Sequence, residues 1–198
     1  EPKPDEDENV TGTLAFEDIW PSGGDYDMND VIVEYERKVY FDKKNIVTKI
    51  VDEFTPVHDG ATYVNAFAYQ IDAAQIGDKI TLPEGAILEK ETSSIIVMSN
   101  AKQNIGNKYV VTREFNGSFL KNQLLSYNPY IIVKYSQGEQ NRTEVHLPKH
   151  KATAYANQSL IGSNDDAYYI DRKGAYPFAI DIPMLGFTPV TERNKIGR

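Results

Sequence analysis

Between residues 15 and 35, AFEDIWPSGGDYDMNDVIVEY, the chain gathers Glu17, Asp18, Asp25, Asp27 and Asp30 beside a turn and before an apolar run. Asp25, Asp27 and Asn29 stand at alternate positions, the spacing by which a tight loop aims several oxygens at one hard cation. Calcium takes six to eight oxygens at about 2.3–2.6 Å, which such a loop can partly supply. Glu17 or Asp18, brought back by the Pro-Ser-Gly-Gly turn, are the nearest sources of further ligands. Asp, Asn and Gly are also ordinary turn residues, but carboxylates packed this densely repel one another unless something neutralises them. Phe16, Ile19 and Trp20 are expected to anchor the loop to a core.

The same residues match part of an EF-hand loop, with Asp25 at the first position, Ile32 at the eighth and Glu36 at the twelfth. That reading fails on two counts. The sixth position, which should be a sharply turning Gly, is Asp30. The flanks hold Pro21, Gly23 and Gly24 on one side and an alternating strand on the other, where an EF-hand needs helices. Along an extended strand Glu36 lies some 20 Å from the start of the run at ~3.3 Å per residue, so it is expected on the strand surface.

Other groups carry less chemistry. Asp165 and Asp166 follow a Gly-Ser-Asn turn, with Asp171 beyond, and are candidates for an additional metal site or for a polar connection. His146 and His150 have the i, i+4 spacing of a helical zinc pair, but Pro148 lies between them and disfavours a helix. His58 stands alone and reads as a loop residue. No nucleophile elbow, phosphate loop or dinucleotide fingerprint is present, and no carboxylate pair is set apart in an apolar context, so the chain is read as non-catalytic.

The elements that must position these groups are strands. The 198 residues include 13 Tyr, 8 Phe and no Cys, so there is neither a disulfide framework nor a thiolate metal site. A net charge of −8 argues against nucleic acid or an anionic membrane surface as partner. Alternating segments such as VIVEYERKVYF (31–41) and YVNAFAYQI (63–71) read as half-buried strands. KITL, SSIIVMS, KYVVTREF, PYIIVKYS and TEVHLP follow, separated by turn-forming stretches. In the first, Val31, Val33 and Tyr35 share a face opposite Ile32, Glu34 and Glu36. The fold expected is all-β, an antiparallel β-sandwich of seven or more strands, jelly-roll-like, with few short helices, one of them around SFLKNQLLSY. The opening EPKPDEDENV has two prolines and five acids, so residues 1–12 read as an acidic, proline-containing linker and 13–198 as a single sandwich domain. The opening Glu1 suggests that an upstream region has been removed.

The motif FEDIWPSGGDYDMNDVIVEY resembles the opening of LruC-type domains. VNAFAYQI (64–71), EVHLP (144–148) and YPFAIDIP (176–183) are similar to later segments of that family, in the same order. The family pattern continues into a further aromatic segment that the closing TERNKIGR does not show. The resemblance implies an exported protein of the bacterial cell surface or periplasm, often a lipoprotein held by an upstream lipid anchor. It also implies a calcium-binding loop formed by Glu17, Asp18, Asp25, Asp27, Asn29 and Asp30. The expected role is an adhesion or interaction module whose partner is a surface protein or a glycan. The alternatives are a carbohydrate-binding or carbohydrate-active accessory domain, distinguished by whether aromatics line a cleft with facing carboxylates, and a structural spacer.

Overall fold

A computed structural model describes residues 6–117, 119–162 and 168–189. Within them the chain forms eleven antiparallel strands in two sheets. The first sheet has the order β11 (Ala179–Ile182), β1 (Glu6–Phe16), β2 (Val31–Phe41), β3 (Val47–His58), β8 (Tyr109–Glu114), β5 (Lys79–Thr81). The second runs β10 (Thr143–His146), β9 (Asn128–Val133), β4 (Ala66–Gln70), β7 (Ser94–Met98), β6 (Ile87–Glu89). This is the all-β sandwich expected. A β1–β2–β3 meander opens it, and from β3 onward the chain crosses repeatedly between the sheets in jelly-roll-like fashion. The segment read as a helix near residues 118–127 contributes only a single 3-10 turn, Lys121–Gln123.

The linker reading of residues 1–12 needs correction from residue 6 onward. Glu6 to Gly12 pair with Phe41 to Tyr35 as the first half of β1. β11 covers only Thr13–Phe16, so this acidic half is a sheet edge. The exposed carboxylates of Asp7 and Glu8 suit that place, because charge on an exposed edge discourages pairing with other chains. Composition pointed to a tether, but the eleven-residue ladder with β2 overrides it.

Alternation also fails where strands are covered on both faces. Ala66–Tyr69 and all of β7 are buried. Their inner face joins Phe16, Phe54, Phe67, Tyr69 and Ile131 in the main core. Their outer face carries a second apolar cluster of Ala66, Ala68, Ile96, Tyr130 and Ile132. Beside it lies a buried polar network in which Arg142 donates to Glu144 at 2.7 Å, to both oxygens of Glu89 at 2.7 and 2.8 Å, and to Tyr130 at 3.2 Å. Strands enclosed between two layers read as continuous apolar runs.

Ile32, placed by alternation on the polar face of β2, is fully buried. It meets Ala15 and Met28, and Met28 belongs to the acidic loop. The outer face of the first sheet thus holds that loop down.

Candidate metal centre

The loop joining β1 to β2 is fixed by its apolar residues. Trp20 packs against Tyr169 with ring centroids 4.8 Å apart, and Tyr26 stacks on Tyr176 at 5.1 Å and meets Phe178 edge-on at 5.4 Å. Glu17 N–H donates to the Phe178 carbonyl at 2.8 Å, which ties the loop entry to the segment before β11. Tyr26 and Met28 have φ of 54° and 57°, a left-handed backbone that non-glycine residues adopt only where their surroundings compel it. Here burial of both side chains supplies that compulsion. Phe16 and Trp20 anchor the loop as expected, whereas Ile19 is 46% exposed and does not.

Of the six expected ligands, the fold brings Glu17, Asp25 and Asp27 together, with one carboxylate oxygen from each lying within 4.8 Å of the others. Two oxygens on opposite sides of one calcium, each at about 2.4 Å, are separated by about that distance. An oxygen-only set of this span fits a hard cation. Glu17 and Asp27 are buried while Asp25 faces solvent, so the cluster has one open side. Asn29 donates its side-chain amide to Asp27 Oδ2 at 2.7 Å and turns its oxygen toward Gly60, where a Cβ would stand 3.0 Å from it. Gly60 is thus the residue that lets the β3–β4 loop close over the site.

Asp18 and Asp30 form a separate pair on the same pocket wall. Asp30 Oδ2 accepts the Asp18 N–H at 2.8 Å, and Asp18 Oδ2 accepts the Asn65 amide at 2.8 Å. The pocket, about 320 Å³, is lined by Glu17, Asp18, Asp25, Asn29 and Asp30 together with Thr62 and Tyr63. Among the described residues Glu17, Asp18, Asp25 and Asp30 form no salt bridge with Lys, Arg or His. Burial first, then the Asp30 charge, pushes the Glu17 carboxyl up to about 8, although Met28 N–H donates to it at 2.5 Å. Burial also pushes Asp30 up to about 7, with the Asp18 and Asp25 charges adding to the shift against the Asp18 N–H bond. Burial and mutual repulsion thus favour the protonated form of both carboxyls.

Sequence reasoning missed Asp59. Its side chain is fully enclosed, the nearest ammonium, Lys102 Nζ, is 3.8 Å away, and the Ala61 backbone amide also acts to hold its carboxyl down. Burial pushes its carboxyl up, opposed by Lys102, and Asp18 is close enough to add to the rise. A lone Asp at the end of β3 gives no local signal of this neighbourhood.

The remaining candidates resolve differently. Asp165 and Asp166 lie outside the described residues. Asp171 caps a turn, accepting from the Lys173 and Gly174 amides at 2.9 and 3.2 Å. His146 is fully buried and committed on both nitrogens, to Glu144 at 2.9 Å and Asn128 at 2.8 Å, with its ring stacked on Tyr130 at 4.4 Å. It is a structural histidine and no partner of His150. His58 ends β3 and pairs with Ile32, so it is a strand residue and not a loop residue. Glu36 is a strand residue as expected, held by Asn9 at 2.9 Å and Lys38 at 3.2 Å.

The architecture is that of a two-sheet antiparallel sandwich with an acidic pocket where the meander begins. Residues 45–198 match the family described as a domain of unknown function, DUF4842, and the chain belongs to it. The match takes in β3 to β11 and with them Asp59, Gly60 and Asn65, and it starts after the acidic loop and β2. No curated protein and no solved structure matches the chain.

Proposed function

We propose that the protein is a calcium-stabilised, non-catalytic interaction domain of LruC type, carried by an exported bacterial protein at the cell surface or in the periplasm. The observation that carries this reading is the approach of one carboxylate oxygen each from Glu17, Asp25 and Asp27 to within 4.8 Å of one another, with Glu17 and Asp25 also lining the acidic pocket. In this reading calcium supplies the charge that the loop lacks and fixes the entry to β2. The β3–β4 loop, which meets the pocket through Gly60, Thr62 and Tyr63, is ordered with it. The partner is a surface protein or glycan, and the anchor a lipid on an upstream segment. Extracellular calcium modules work with dissociation constants as weak as 10⁻⁴–10⁻³ M, a range suited to that setting.

Calorimetric titration of chelator-stripped protein with calcium tests the reading, with magnesium as comparison and Asp25→Asn alongside. One equivalent of calcium should bind, magnesium should bind more weakly, and the variant should lose at least tenfold in affinity. Absence of binding heat, together with metal analysis showing no calcium retained before stripping, would remove the cation from the account.

A further inference from the structure

A second cavity, of about 330 Å³, opens between the sheets and shares no lining residue with the acidic pocket. Its charged wall belongs to a buried cluster on the inner face of the first sheet. Asp52, fully buried on β3, receives Arg37 Nε at 3.1 Å, Tyr127 OH at 2.8 Å, and Arg113 and Tyr69 OH at 3.3 Å. One carboxylate therefore faces two guanidinium groups. Burial pushes Asp52 up against the pull of Arg113 and then Arg37, so the cluster holds at most one negative charge against two positive ones.

The surplus sits on Arg37. Arg113 is fully buried and spends one terminal nitrogen on the Gln75 carbonyl at 2.6 Å and the other on Asp52. Arg37 lines the cavity with its side chain 21% exposed, sits with its Cζ 3.1 Å from the centroid of the Tyr127 ring, and gives Asp52 only its Nε. Among the described residues its two terminal nitrogens donate to no group, which leaves the planar fork free for a ligand carboxylate. The same cavity is lined by Asp181, exposed on β11 and accepting from Tyr35 OH at 3.0 Å. Tyr35 reaches it because Gly12 has no Cβ; one there would stand 2.5 Å from the hydroxyl. Val10, Leu14, Phe54, Pro129 and Leu147 give the cavity an apolar wall, and Ser126 and His150 add further polar groups to its lining.

We propose that this cavity binds an acidic sugar, with the carboxylate on Arg37, ring hydroxyls donating to Asp181, and the C–H faces against the apolar wall. A cation alone would not select a sugar, and an acceptor alone would not select an acid. Their combination over an apolar wall matches a pyranose that carries one carboxylate, free or at the end of an acidic glycan. The volume suits one such ring, since small-ligand sites begin at about 300 Å³. The assignment stands apart from the cation site, so either can fail alone.

Binding would be followed by two-dimensional NMR of the calcium-equilibrated protein, titrated with galacturonate, glucuronate, galactose, glucose, trigalacturonate and phenylacetate. At least one uronate should bind saturably, shift the Arg37, Tyr35 and Tyr127 signals, and bind at least tenfold more tightly than its neutral counterpart. Arg37→Lys, which keeps the charge beside Asp52 but removes the fork, should weaken that uronate at least tenfold while the dispersion of its two-dimensional spectrum shows the fold to be retained. Asp181→Ala should weaken it several-fold. Tighter binding of trigalacturonate would point to a chain end, and equal binding to the free sugar. The proposal is overturned by uronates that bind no better than neutral sugars or not at all, by an Arg37→Lys variant that binds as the wild type does, or by phenylacetate matching the uronates. Tighter uronate binding in Asp181→Ala would also overturn it, because Asp181 would then repel the ligand.

Discussion

In calcium-free protein, Glu17 should make stability fall as pH rises. Its carboxyl is pushed from 4.5 up to about 8, burial being the main cause and the Asp30, Asp27 and Asp25 charges adding to it. A raised carboxyl pKa means that the folded state holds the proton more tightly than the unfolded chain does. The contribution of Glu17 is therefore complete below pH 4.5 and is lost as pH climbs through about 8. At 1.36 kcal/mol per pH unit, the loss reaches roughly 4 kcal/mol by pH 8. For a chain of this length, 1 kcal/mol moves Tm by about 2–4 °C, so the fall amounts to roughly 8–16 °C. Calcium should cancel it, because the ion replaces the proton as the neutralising charge. Glu17→Gln provides the control, since the amide keeps an oxygen for the Met28 N–H but carries no charge. Urea unfolding of chelator-stripped wild type and variant at pH 5, 6.5 and 8, with and without 1 mM calcium, reads all of this. Without calcium the variant should be the more stable protein at pH 8, and it should lose the calcium response. A wild type equally stable at pH 5 and 8, or a variant that keeps the wild-type decline, would refute the electrostatic account of the loop.

Three further outcomes follow from the buried polar groups. Arg142→Met leaves Glu89 and Glu144 enclosed without their guanidinium and should cost about 3–5 kcal/mol in denaturant unfolding, with acidic pH recovering part of the loss. Burial holds His146 below its ordinary value despite Glu144, so the unfolded chain takes up that proton first. Its contribution is present above about pH 6.5 and is lost as pH falls below it, and an NMR titration should find its ring protonating at lower pH than an exposed histidine does. Tyr127→Phe removes the 2.8 Å bond to Asp52 and should cost about 1–3 kcal/mol; no change in unfolding would show that Asp52 is satisfied without it.

The main strands and the acidic loop were legible from local pattern. VIVEYERKVYF coincides with β2, and Val31, Val33 and Tyr35 do face the core, because side-chain direction in a strand alternates whatever the partner. The same face continues to Arg37, so a charged residue on an inward position was a visible signal of the second cavity. The acidic loop was legible because all its charge lies within one short stretch of chain.

Tertiary structure alone decided which acids meet. It groups Glu17 with Asp25 and Asp27, ties Asp18 to Asn65 across 47 positions, and sets Asp59 near Asp18. It also made the acidic start of the chain a strand, since only the β2 ladder gives those backbone groups partners. Asp52 and Arg113, 61 residues apart, show the general reason. Local sequence sets the face to which a side chain points, whereas the charges that share a buried volume depend on which strands become neighbours. That choice is made by the packing of the whole core.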